Sequence, residues 1–260
     1  MKNLRKYGNP PFNIAVIHGG PGARGEMMPL AKELSTLYGV LEPLQTKTSL
    51  DEEIKELLLV LKKNGNRPMI LIGHSWGALF SYIFAAQYPL LVKKIILIGS
   101  GCFEEKYSKN IMKTRLDRLN KREKAEVFSL MEILKDPTVE DKNVILTRFG
   151  KLISKADSYS PLHYDNKELE CNFQIYQGLW EDTEKIRHKG TLLNLRKHIQ
   201  CPVVAIHGDY DPHPSEGVKE PLSCIVKDFR FIVLEKCGHY PWMEKNAKDD
   251  FYNLLKKEME

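Results

Sequence analysis

Apolar residues fall along this chain in two alternating rhythms. Short apolar runs recur at Asn13–Ile17, Val40–Gln45, Met69–Ile72, Lys93–Gly99, Pro202–Ile206 and Phe229–Leu234. Each is too short for a helix and reads as a buried strand. Stretches with helical spacing lie between them. Leu30, Ala31, Leu34 and Leu37 mark one face of a helix over Met27–Tyr38, with Gly39 read as its C-terminal cap. Leu50, Ile54, Leu57, Leu58 and Leu61 mark a second. Ser49 opens it with Glu52 three residues on, a capping-box pattern, and Asn64-Gly65-Asn66 closes it. A third helix runs from Ala78 to Tyr88. A last amphipathic one covers Asn246–Glu258, with Phe251, Leu254 and Leu255 inward. This alternation predicts an α/β fold, a mostly parallel sheet of about six strands with flanking helices. Lys93–Gly99 is nearly all apolar after its lysines, which suits a strand covered on both faces. Only about a dozen residues precede the first run, so no extra N-terminal strand pair is expected.

At Ser100-Gly101 the rhythm changes. From Cys102 to His198 the apolar residues keep helical spacing and form no convincing strand. Ile111, Leu116 and Leu119 make one set. Val127, Leu130, Met131 and Leu134 make another, ending before Asp136-Pro137, and Val144, Leu146, Phe149 and Leu152 follow. Phe173–Trp180 and Leu192–Leu195 are later pieces. The chain therefore divides into a core in two parts, 1–101 and 199–260, around an inserted helical segment, 102–198. The aromatic residues of the insertion, Tyr159, Tyr164, Phe173, Tyr176 and Trp180, read first as packing and second as ligand contacts.

Composition narrows the class. At 260 residues the chain suits one core with an insertion better than two full domains. With 42% hydrophobic and 28% charged residues it has the balance of a soluble globular protein. The net charge of +5 comes from lysines interleaved with acids, which describes solvated helix faces and not a nucleic-acid surface. The five cysteines, Cys102, Cys171, Cys201, Cys224 and Cys237, are odd in number and have no Cys-x-x-Cys spacing, so neither a disulfide framework nor a zinc site is expected. The basic start lacks an apolar stretch behind it and no run reaches membrane-spanning length. The expected location is the cytoplasm, with no membrane partner.

The candidate chemistry sits where strands end. Met69–Ile72 runs into Gly73-His74-Ser75-Trp76-Gly77, a Gly-x-Ser-x-Gly pattern between a strand and a helix. Such a turn lifts a serine hydroxyl out of the chain's path, near a helix N-terminus that favours negative charge. Gly73 and Gly77 would leave room where a Cβ collides with its neighbours. Asn13–Ile17 runs into His18-Gly19-Gly20-Pro21-Gly22, a loop bare enough to bring N–H groups to a ligand. Pro202–Ile206 leads to Asp209 and Asp211, and Phe229–Leu234 leads to His239. Serine needs a base to remove its proton, histidine supplies one near neutral pH, and a carboxylate fixes the imidazole. Both acids qualify. Asp211 precedes Pro212, which favours extended backbone there, while Asp209 could brace the loop. The His and acidic residues do not fall in metal-ligand spacing, so no metal or organic cofactor is expected.

In this combination the residues resemble the alpha/beta-hydrolase superfamily, over about residues 12–101 and 199–260. The resemblance implies a Ser75, Asp211, His239 triad, since Gly208 to Asp211 matches the pattern where the family's acid sits. It also implies an oxyanion hole from the backbone N–H groups of Gly20 and Trp76. His18, Gly19, Pro21, Gly22, Gly73, His74 and Gly77 would shape the two loops, and 102–198 would be a cap over the site. More narrowly, His18–Gly22 with Ser75-Trp76-Gly77 is similar to proline iminopeptidases, which bind a free amino terminus through acids of the cap region. Acids including Glu104, Glu105, Glu168, Glu170, Glu181 and Glu184 are available here, but the region is also rich in lysine and arginine, and surface ion pairing explains any one of these acids better. His74 stands where those peptidases usually carry glycine, and Gly-His-Ser-x-Gly is common in hydrolases of small esters. The expected activity is acyl-enzyme hydrolysis of a small carboxylic ester or thioester. The alternative is an iminopeptidase-like aminopeptidase on a short peptide, and more remotely a non-catalytic ligand-binding protein on the same scaffold. Nothing in the sequence speaks to oligomeric state.

Overall fold

A computed structural model describes residues 3–163, 168–224 and 226–259. The chain runs β1 (Leu4–Tyr7), β2 (Phe12–Ile17), β3 (Ala23–Arg24), α1 (Met28–Leu34), β4 (Gly39–Pro43), α2 (Leu50–Asn64), β5 (Met69–His74), α3 (Trp76–Gln87) and β6 (Val92–Ile98). Then come α4 (Ile111–Asp117), α5 (Lys121–Lys135), α6 (Asn143–Asp157), β7 (Glu170–Cys171), α7 (Phe173–His188) and α8 (Thr191–Asn194). It closes with β8 (Val203–Gly208), α9 (Glu216–Ser223), β9 (Phe229–Leu234) and α10 (Lys248–Met259).

Seven strands form the main sheet in the order β1-β4-β2-β5-β6-β8-β9, all parallel except β1 against β4. Side chains leave a strand alternately to its two faces, and the two cores follow that alternation. Ala15, Ile17, Leu71, Ile95, Leu97, Val203 and Ala205 face one way, onto the inner stripes of α2, α3 and α9. Ile14, Val16, Ile70, Ile72, Ile96, Ile98, Val204 and Ile206 face the other, onto α1 and α10. Both faces are covered, which explains why the central strands read as unbroken apolar runs.

Four details differ from the sequence expectation. The sheet has seven strands, not about six, because Leu4–Tyr7 pairs antiparallel with β4. Its polar residues are held there by Glu42, which accepts from Tyr7 Oη at 2.7 Å and lies 3.6 Å from Arg5. Gly39 does not cap α1, which ends at Leu34. It starts β4, where a Cβ would meet the carbonyls of Asn9 and Pro11. Ser49 and Glu52 form no capping box. Ser49 Oγ donates to Glu52 instead, and the Leu50 N–H is taken by Asp182 of α7 at 3.1 Å. Among its described residues the insertion contains one short strand, β7, antiparallel to β3.

The other regular elements described between β6 and β8 are helices, and α5 and α6 share a small core of Leu119, Val127, Leu130, Leu152 and Ala156. Among its aromatic residues Tyr159 packs edge-on against Tyr210, and Tyr176 and Trp180 lie parallel. Tyr164 falls outside the described residues.

Candidate active site

Register brings the strand ends together. Ile17 pairs with Gly73, His74 with Ile98, Ile98 with Ile206 and Gly208 with Leu234. The loops that follow β2, β5, β8 and β9 therefore open on one edge of the sheet, where an open parallel sheet places its ligand.

Ser75 stands at the turn from β5 into α3 with φ 53° and ψ −117°. A residue with a Cβ is strained in that conformation, by about 1–3 kcal/mol. The surroundings hold it there. Ser75 N–H donates to Ile98 O at 2.9 Å, a Cβ on Gly73 would strike the Gly77 carbonyl, and one on Gly77 would strike those of Ile17 and His18. The elbow and the His18–Gly22 loop thus interlock through glycines. A Cβ on Gly19 would stand 2.9 Å from Ser75 Cβ. Trp76 is buried, stacks on Phe80 and donates its indole N–H to Thr183 Oγ1 at 2.8 Å. Among the described residues the backbone N–H groups of Gly20 and Trp76 have no protein acceptor.

The loop from His18 to Gly22 is braced from behind by Gln45. Its Nε2 donates to His18 O at 2.9 Å, its Oε1 accepts from Gly22 N–H at 2.7 Å, and its backbone N–H lies 3.3 Å from His18 Nε2. Burial lowers His18 to about 4, so its ring is a neutral structural piece at neutral pH. Pro21 is buried beside it, while Gly20 is exposed at the tip.

The two candidate acids part company. Asp211 Oδ2 lies 2.7 Å from His239 Nδ1. Asp209 instead accepts the backbone N–H groups of Lys236 and Cys237 at 3.0 Å each, bracing the turn that leads to His239. Ser75 makes no hydrogen bond to His239 among the described residues; the two follow β5 and β9, which have β6 and β8 between them in the sheet. His239 is fixed by its own N–H, which donates to Asp157 O at 2.9 Å, and by Gly99, where a Cβ would stand 3.0 Å from His239 Nδ1.

Several partners have no sequence motif. Asp211 Oδ1 takes both the Nδ1 and the backbone N–H of His213, at 2.8 and 2.9 Å. The His213 ring stacks on His239 with centroids 4.5 Å apart. His207 lies 3.7 Å from Asp211 Oδ2 and donates to His213 O at 2.7 Å. Burial opposes charge on Asp211, but the attraction of His239, His207 and His213 outweighs it and holds the carboxyl well below its usual range. Burial likewise pushes His239 down, and contact with Asp211 outweighs it, leaving His239 above the ordinary histidine value. His213 is lowered by burial to about 4. The run Asp211-Pro212-His213 was the sequence's sign of this second imidazole. Ligand atoms of Asp211, His213 and His239 lie within 4.8 Å of one another. Both Nδ1 atoms already share protons with the carboxylate, and a metal at ~2.0–2.1 Å from a nitrogen would have to displace them.

A family model of the alpha/beta hydrolase fold matches residues 45–246. The proline iminopeptidase of Heyndrickxia coagulans is 25% identical over 269 residues, 93% of this chain and 91% of that one. The proline iminopeptidase of Saccharolobus solfataricus is 22% identical over 280 residues, covering 94% and 84%. The crystal structure of the Paleococcus ferrophilus monoacylglycerol lipase superposes with a TM-score of 0.65 at 15% identity, over 99% of this chain and 98% of that one. Among the described residues no helix is long and apolar enough to cross a membrane.

Proposed function

The chain belongs to the alpha/beta hydrolase family, and from that premise we propose that it is a serine hydrolase acting on a small carboxylic ester or thioester. The observation that carries this is the buried Asp211–His239 pair at 2.7 Å, opening on the same sheet edge as the strained Ser75 elbow. In this reading His239 Nε2 takes the Ser75 proton as Oγ attacks the carbonyl carbon. The proton then passes to the leaving group as the acyl-enzyme forms. Gly20 and Trp76 N–H groups receive the oxyanion, and the N-terminus of α3 adds its dipole. Water repeats the cycle and releases the acid. Asp211 keeps His239 in the tautomer with its proton at Nδ1. The helical segment 102–198 acts as a cap that excludes water.

The iminopeptidase relatives support a second reading, cleavage of an N-terminal residue with the same triad. A cap carboxylate would then have to meet the substrate amine. The six cap acids named above have partners elsewhere: Glu104 with Lys106, Glu105 with His188, Glu168 with Arg5, Glu170 with Arg24, Glu181 with Gln177 and Glu184 with Arg187. This favours the ester. Initial rates on p-nitrophenyl butyrate and proline p-nitroanilide, with Ser75→Ala as blank, separate the two. Ester turnover without anilide cleavage is expected, and the reverse would establish the peptidase.

The pH profile tests His239. It acts as a base only when neutral, so kcat/KM climbs as pH rises through its pKa. Because Asp211 raises that pKa, the acid limb for p-nitrophenyl butyrate is expected above the ordinary value of about 6.5. His213, at about 4, contributes no step there. A limb centred below 6.5 would contradict the assignment.

A further inference from the structure

We infer that Glu26 is a positioning residue whose single carboxylate oxygen ties the oxyanion loop and the nucleophile elbow to the backbone of His239. Glu26 Oε2 accepts the Gly19 N–H at 2.6 Å and meets His74 Nδ1 at 3.0 Å. On the far side of the ring, His74 Nε2 donates to the His239 carbonyl at 3.0 Å. Each contact lies one residue or less from a member of the proposed machinery: Gly19 precedes Gly20, His74 precedes Ser75, and the last is His239 itself. The inference rests on the serine-hydrolase reading and adds to it a residue that no motif contains.

The surroundings show that this chain of contacts is held in register. His74 is fully buried and boxed by the rings of His239, Tyr240 and Trp242 at 4.6, 5.0 and 4.7 Å, the last edge-on. A Cβ on Gly19 would meet Glu26 Oε2, the His74 carbonyl oxygen and Ser75 Cβ, each at 2.9 Å, so loop, elbow and carboxylate meet at one point. Burial opposes charge on Glu26, but His74 and the Gly19 N–H outweigh it and leave the carboxyl below its ordinary value. His18, Tyr240 and Cys171 also feel its charge. Burying an ion among three loops does little for stability compared with apolar packing, but it specifies geometry. Geometry governs rate steeply, since a displacement of ~1 Å in a catalytic group costs about 10²-fold.

The test is Glu26→Gln. The shape is kept and the charge is lost. The amide that replaces the carboxylate is a weaker acceptor for the Gly19 N–H and for His74 Nδ1, so both links loosen. For p-nitrophenyl butyrate, kcat is expected to fall ~10–100-fold with KM changed less than about 3-fold. The rate of Ser75 labelling by a fluorophosphonate should fall by the same factor. His74→Asn breaks the chain at its other link. If both act through one chain, the double variant loses no more than the worse single variant. Unchanged kcat and labelling in Glu26→Gln, or losses that multiply in the double variant, overturn the inference. If Glu26→Gln does not fold, His74→Asn decides by the same kcat-against-KM split. Wild-type protein that is neither labelled nor active on the ester would overturn the serine-hydrolase reading, and the positioning role with it. Labelled, active wild type with an unaffected Glu26→Gln overturns the positioning role alone.

Discussion

Replacing Ser75 is expected to remove activity and, for one substitution, to stabilise the fold. Ser75→Ala should lower ester turnover by at least about 10⁴-fold and abolish fluorophosphonate labelling, because no other group supplies the nucleophile. Ser75→Gly should be as inactive. Its melting temperature should exceed that of Ser75→Ala. The residue sits at φ 53°, a conformation glycine adopts freely and a Cβ resists. Relief of roughly 1–3 kcal/mol of strain outweighs the ~0.5–1 kcal/mol that glycine's unfolded-state freedom costs. Calorimetry on the two inactive variants reads the difference directly. Equal melting temperatures would mean the elbow stores no strain. Normal turnover in Ser75→Ala would end the covalent mechanism.

The second large effect distinguishes Asp211 from Asp209. Asp211→Asn keeps the shape but cannot hold the proton on His239 Nδ1, and kcat should fall on the order of 10³–10⁴-fold. Asp209→Asn weakens the two bonds to Lys236 and Cys237 N–H. It should leave kcat within about 10-fold and lower the melting temperature by ~2–4 °C. The contrast is what matters, since both acids lie in the same loop. If Asp209→Asn were the crippling variant, the acid of the triad would be misassigned.

Legibility in the sequence followed the range of the interaction. The buried strands and the helices between them were readable because covering both faces of a parallel sheet leaves a local signature, as in Met69–Ile72. The elbow was readable because Gly73 answers a demand made by Gly77 four residues on and because the strand before and the helix after are local signals, although Gly77 makes room for the distant Ile17 and His18 carbonyls. Leu4–Tyr7 was not, because an edge strand can be polar when its charges find partners such as Glu42. The capping of α2 was misread for a related reason: the acceptor, Asp182, lies 132 residues from Leu50. Glu26 and Gln45 escaped notice because a loop-bracing carboxylate or amide has no spacing rule, only a place in three dimensions. Pro212 and the Gly208 to Asp211 pattern already favoured Asp211 over Asp209, but the job of Asp209, bracing the turn at Lys236–Cys237, is visible only in three dimensions.

The attachment of α7 bears on how the enzyme can change over evolutionary time. Thr183 holds the Trp76 indole, Asp182 holds the start of α2, and Gly178 lies against the Thr48 backbone. Mutations along that helix face are therefore felt at the elbow. The α5–α6 hairpin has a small core of its own, and it meets α7 at the helix's start, where Asn143 Oδ1 accepts the Phe173 N–H and Lys142 lies over the Phe173 ring. In the proposed cap role, selection can rewrite α5 and the turn after it, altering what the protein admits while the proposed Ser75, Asp211 and His239 stay as they are.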